Sequence, residues 1–111
     1  MKASPQDRAR LEVEIQRLVE QLKALGATQV ILFGSLARGD VSLFSDIDLL
    51  ALFDQERPAR DLTRWVYQNI QTGEAVDMLA FSRRAFQQVR ERPFFQRVLR
   101  EGRVLYERPG A

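Results

Sequence analysis

The sequence predicts an α+β domain, a small sheet of three to five strands flanked by helices. Three observations predict it. Apolar residues recur at helical spacing between Leu11 and Leu25, short apolar runs suited to strands start at Val30, Ser45 and Glu74, and amphipathic helical stretches separate and follow those runs. A chain of 111 residues supports one core, so residues 1–111 read as a single domain with no room for a separate substrate-binding unit.

Ser4-Pro5 with Asp7 reads as an N-cap, a proline in the first turn and an acidic third residue. Leu11, Ile15, Leu18, Val19, Leu22 and Leu25 form the buried stripe of the helix that follows, and Gly26 stands where a terminating glycine belongs. Its charges, Arg8, Arg10, Glu12, Glu14, Arg17, Glu20 and Lys23, are expected on a solvated face. Val30 to Phe33 is the first strand, Gly34-Ser35 a turn, Leu36 to Arg38 one helical turn, and Gly39-Asp40 a second turn. Ser42 to Ser45 continue a polar loop in which Leu43 and Phe44 are candidates to line a base pocket. Ser45 to Phe53 is the second strand. Pro58 begins a helix with Leu62, Trp65, Val66, Asn69 and Ile70 facing inward, and Thr72-Gly73 ends it. Glu74 to Phe81 is the third strand. Ser82 caps the next helix, and Pro93 starts another that turns Phe94, Phe95, Val98 and Leu99 inward until Gly102. Adjacent Phe94 and Phe95 do not fit equally on one narrow stripe, which leaves one available for a partner surface. Val104 to Tyr106 makes a short final strand or an extended tail.

Composition restricts the chemistry. The chain has no histidine and no cysteine, which excludes imidazole bases, thiol nucleophiles, disulfides and the common zinc sites. Catalysis is left to carboxylates, hydroxyls, arginine or lysine, and a hard metal. A net charge of +2 argues against stable nonspecific nucleic-acid binding. No apolar run is long enough to span a membrane and the N-terminus lacks a signal-peptide core, so a cytoplasmic location is expected.

Asp46 and Asp48 lie two apart on the second strand, so both carboxylates leave the same face while Ile47 points into the core. Like charges about 4 Å apart repel by about 4 kcal/mol at an effective dielectric near 20, and a divalent cation is the simplest reason to keep them together. Mg²⁺ accepts carboxylate oxygens and fills its remaining positions with water and phosphates. Upstream, Gly34-Ser35 can present backbone N–H groups to an anion. Ser35 alone reads equally as a helix N-cap. Arg38 can pair with Asp40 or reach a triphosphate. Asp77 is the one charge within the third strand, and it completes a three-carboxylate site if that strand lies beside the second. Glu74, at the strand's mouth, is the competing candidate.

Gly34-Ser35, the ten residues Leu36 to Ser45, and Asp46-Ile47-Asp48 together match the G-S-x10-D-x-D signature of the polymerase-beta-like nucleotidyltransferase superfamily. Within that superfamily the chain resembles the minimal nucleotidyltransferases, or MNT proteins, through G-S-L-A-R-G-D, S-D-I-D-L-L, V-D-M-L (Val76 to Leu79) and G-R-V-L-Y-E (Gly102 to Glu107). The resemblance implies the superfamily's fold, with a small mixed sheet, and two Mg²⁺ ions held by Asp46, Asp48 and Asp77. It also implies nucleotide binding at Gly34, Ser35 and Arg38. MNT proteins pair with HEPN-domain ribonuclease toxins, and members transfer AMP from ATP to a toxin tyrosine. The expectation is therefore an antitoxin that adenylylates its partner. Its rivals are an antitoxin acting by binding alone and a catalytic subunit that modifies a small molecule or RNA.

Overall fold

The protein is described from a computed structural model covering residues 4–40 and 46–110. Leu43, Phe44 and the rest of the expected Ser42 to Ser45 loop lie outside the described residues.

The organising strand is β2 (Ile47–Phe53, I-D-L-L-A-L-F), which is almost wholly apolar because both faces of its sheet are covered. It pairs antiparallel with β1 (Ala27–Phe33) and parallel with β3 (Val76–Ser82). A short β4 (Arg103–Glu107) pairs antiparallel with the far side of β1, so the four-stranded mixed sheet runs β3-β2-β1-β4. β1 begins at Ala27, earlier than its apolar run suggests. The preceding A-T-Q is drawn into the ladder by pairing across to Phe53, and the Thr28 hydroxyl donates to the Leu52 carbonyl at 3.2 Å.

Alternation along β2 divides the core. Ile47, Leu49, Ala51 and Phe53 meet α1 (Pro5–Ala24) and α3 (Ala59–Asn69) on one face. Leu50 and Leu52 meet Phe86 of α4 (Arg83–Val89) and Val98 of α5 (Pro93–Glu101) on the other. Asp48 has the parity of Leu50 and Leu52, so its carboxylate leaves the sheet on the α4/α5 face. Among the described residues no helix is long and apolar enough to cross a membrane.

Helix ends follow their local chemistry. Ser4 and Asp7 form the expected reciprocal capping box, and Gly26 follows α1 with a positive φ of 104°. The Ser82 hydroxyl accepts from the Ala85 amide at 3.0 Å and caps α4. Pro58 is the N-cap of α3, one residue outside the helix. Of the stripe expected there, Leu62 and Val66 are buried and Trp65 packs edge-on against Phe53, whereas Asn69 is exposed and its amide donates to the Trp65 carbonyl. Phe95 packs edge-on against Phe81 and Phe86, while Phe94, 52% exposed, is the member of the pair turned outward.

Glu14 corrects the reading of α1 as a helix whose charges are all solvated. It is buried, and its carboxylate accepts from the Gly73 amide at 2.7 Å and the Thr72 hydroxyl at 2.9 Å, with Arg17 as its ion-pair partner. The backbone N–H of Gly73 foremost, then Thr72 and Arg17, hold the Glu14 carboxyl below its ordinary value against the effect of burial. Gln21 adds a two-way amide bond to Gln71, and Arg10 pairs with Glu74 at 2.9 Å. Three side chains of α1 thereby hold residues 71–74, the connection that delivers β3.

Replacing Glu14 by Ala should destabilise the fold by about 2–3 kcal/mol, since hydrogen bonds to a charged acceptor are lost and the loop's donors are orphaned. A depressed carboxylate stabilises fully above its ordinary value of 4.5, and that contribution fades as pH falls through the lower folded value. Thermal melts of the wild type and Glu14→Ala should therefore differ most above pH 5 and converge on acidification.

Candidate active site

β2 and β3 run parallel in an unbroken register that sets Asp48 directly beside Asp77. Directly opposite residues on adjacent strands present their side chains on the same face, so both carboxylates emerge together at one end of the sheet. Asp46 stands immediately before β2 and is exposed. The Ile47 amide, between Asp46 and Asp48, donates to the Ala75 carbonyl at 2.9 Å and ties the strand's start to the loop that α1 holds.

The three aspartates occupy different environments. Asp48 is half-buried, and burial pushes its carboxyl up to about 6. The charges of Asp77 and Asp46 and a hydrogen bond with Asp77 add to that rise, and Arg38 opposes it. Asp77 is exposed despite its apolar neighbours in sequence, because the start of the edge strand β3 opens to solvent. The cost of carboxylate burial falls on Asp48. The rival acid Glu74 is ion-paired to Arg10 of α1.

Gly34 has a steric reason to be glycine. It opens α2 (Gly34–Ala37) at a φ of 74°, a left-handed conformation that side chains disfavour. A Cβ placed there would collide with Oδ2 of Asp48. The turn thus lies directly against the half-buried carboxylate of the site. Ser35 is not the N-cap of this turn. That position belongs to Phe33, and no side chain caps it. Arg38 follows at the C-cap of α2, 3.7 Å from Asp40 and 3.6 Å from Glu101. Between α2 and α5 lies a cavity of about 250 Å³, lined by Phe33, Gly34, Arg38, Phe94, Arg97 and Glu101 among others. Sequence reasoning missed Arg97 and Glu101, whose i,i+4 spacing is that of an ordinary exposed helix pair.

The donor set suits a hard cation. Among the described residues no three acidic side chains are grouped as a ready-made metal cage. Magnesium does not require one, because it commonly takes one or two carboxylates and completes its shell with water and substrate phosphates. Asp48, raised first by burial and then by its neighbours' negative charge, is a group whose ionisation a cation would favour.

A mixed sheet carrying carboxylates at the ends of two adjacent strands, against a glycine turn, is a nucleotidyltransferase scaffold. The nucleotidyltransferase domain family matches residues 15–105, and the chain belongs to that family. Such domains use a nucleoside triphosphate and a divalent metal. The fold is shared with the crystal structure of a Sulfolobus solfataricus protein provisionally described as a nucleotidyltransferase, with a TM-score of 0.68 and 23% identity over 96% of this chain and 88% of that one. A search of curated proteins gave no match.

Two outcomes are expected from this geometry. Gly34→Ala should lower stability by about 1–3 kcal/mol, because it combines a strained φ with a collision against Asp48. For Asp48 the sign is the reverse of Glu14: a raised carboxyl favours the fold while protonated, and that contribution is lost as pH rises from 3.8 through about 6. Asp48→Asn should therefore melt higher than the wild type above pH 6 in metal-free buffer, and the difference should shrink towards pH 4. Melting curves across that range with a chelator present check both.

Proposed function

We propose that this nucleotidyltransferase is a magnesium-dependent protein adenylyltransferase of the minimal type, an antitoxin that transfers AMP from ATP to a tyrosine of a HEPN-domain toxin. The in-register meeting of Asp48 and Asp77 beside Gly34 carries the catalytic part of this reading. The partner follows from the sequence resemblance to MNT proteins, and the small size of the domain supports it, since acceptor specificity can come from a docked protein.

In this reading Asp46, Asp48 and Asp77 are the residues that would hold the two magnesium ions. When bound, such ions would supply Lewis-acid neutralisation of phosphate charge, so no histidine is needed. Asp77 orients the acceptor hydroxyl and takes its proton. The new bond joins the acceptor oxygen to the α-phosphorus of ATP, and the bond from that phosphorus to pyrophosphate breaks. Gly34 and Ser35 hold the β- and γ-phosphates through backbone N–H groups, and Arg38 offsets the charge of the departing pyrophosphate.

Co-expression with a HEPN-domain protein, followed by mass spectrometry, tests this directly. An added AMP on a toxin tyrosine is expected, and Asp46→Asn, Asp48→Asn or Asp77→Asn should reduce it by about a thousandfold or more. Full protection from the toxin by the double variant Asp46→Asn/Asp48→Asn would leave binding alone as the activity. Transfer of label from ATP to RNA or a small molecule in place of the toxin would redirect the assignment.

A further inference from the structure

Around the cavity between α2 and α5, one carboxylate oxygen of Glu101 is shared by two guanidinium groups, Arg97 at 3.3 Å and Arg38 at 3.6 Å. Asp40 also lies 3.7 Å from Arg38, but it is well exposed and its charge is screened by water. These separations are long for charge-assisted pairs, which settle near 2.7–2.9 Å. Arg108 and Asp54 at 2.8 Å and Arg10 and Glu74 at 2.9 Å reach that range, whereas the exposed pairs Arg83–Asp54 at 3.5 Å and Arg84–Glu56 at 3.6 Å are as loose as the Glu101 contacts. The Glu101 cluster is therefore loosely held, with two planar donors from different helices facing a cavity that a better-matched anion can enter. Phe33 and Phe94, packed edge-on with ring centroids 5.9 Å apart, line another part of it. Gly34 also lines the cavity, and a Cβ there would meet Oδ2 of Asp48, so an anion in the cavity lies close to that aspartate.

We propose that this cavity takes the diphosphate portion of the nucleotide, with Arg97 joining Arg38 as a phosphate-binding residue and Glu101 serving as the resident carboxylate that phosphate displaces. The inference rests on the nucleotidyltransferase reading of the aspartates and adds two residues to it. Phosphate oxygens match the arginine fork better than one shared carboxylate oxygen does. Glu101, at the end of α5 and partly exposed, can turn to solvent when displaced. Holding the two guanidiniums together in the empty protein limits their mutual repulsion, at the expense of competing with the incoming phosphates.

Calorimetric titration of the whole protein with magnesium pyrophosphate, magnesium ATP and AMP tests this, with melting curves to confirm that each variant is folded. Arg97→Gln should weaken pyrophosphate and ATP by about tenfold, and Glu101→Gln should tighten both by about threefold or more, because removing the competing carboxylate leaves two unopposed arginines. AMP, which lacks the diphosphate, should respond to neither substitution. Folded Arg97→Gln and Glu101→Gln proteins that bind pyrophosphate and ATP as the wild type does would overturn the inference, as would weaker binding by Glu101→Gln. If the wild type binds neither ligand, or Asp46→Asn/Asp48→Asn leaves magnesium ATP binding intact, the nucleotidyltransferase reading itself fails. Binding that depends on the aspartates but ignores Arg97 and Glu101 defeats only the present proposal.

Discussion

The site depends on one constraint, the unbroken parallel register between β2 and β3 that sets Asp48 beside Asp77. A shift of one residue would send Asp77 to the opposite face and leave Asp48 facing an apolar neighbour. The register is held from both sides. Ile47, Leu49 and Ala51 are locked into the α1/α3 core, and Leu50 and Leu52 into the α4/α5 core, so neither strand can slide without unburying a full set of side chains. Core packing, which stabilises the fold, thereby imposes an arrangement of carboxylates that electrostatics alone would disperse.

The edge strand β3 needs further support, because it carries a catalytic candidate on the open side of the sheet. Two side chains of α3 supply it. The Thr63 hydroxyl accepts from the Ala80 amide at 3.0 Å, and the Tyr67 hydroxyl accepts from the Met78 amide at 2.7 Å and donates to the Val76 carbonyl. These bonds satisfy backbone groups that an edge strand otherwise offers to another chain. Together with Glu14, Gln21 and Arg10 of α1 acting on residues 71–74, they fix both the entry to β3 and its outer margin. The scaffold around Asp77 is more elaborate than its short strand suggests.

Glycine and charge meet on the other side of the aspartates. Gly34 supplies a backbone conformation other residues resist and the space that the Asp48 carboxylate occupies. Asp48 is thus confined by a glycine wall, an acidic neighbour and the sheet beneath, and this burial is the main reason its carboxyl is raised. In an acidic site sequence surroundings identify which carboxylates are unusual, but solvent access decides which of them carries the electrostatic cost.

Much of this was legible in the chain itself. The capping box at Ser4 and Asp7, the stripe from Leu11 to Leu22, the near-continuous apolar run of β2 and the spacing of Gly34-Ser35 to Asp46 and Asp48 are local patterns, and local patterns survive in one dimension. Tertiary structure alone decided that Glu14 is buried under residues 72–73, that Phe33 and not Ser35 occupies the N-cap of α2, and that Arg38 and Arg97 share Glu101 across a cavity. Those facts join residues as much as 63 positions apart or depend on how the chain enters a single turn. No periodicity encodes them, because burial and long-range charge contacts are set by which surfaces the packed elements bring together.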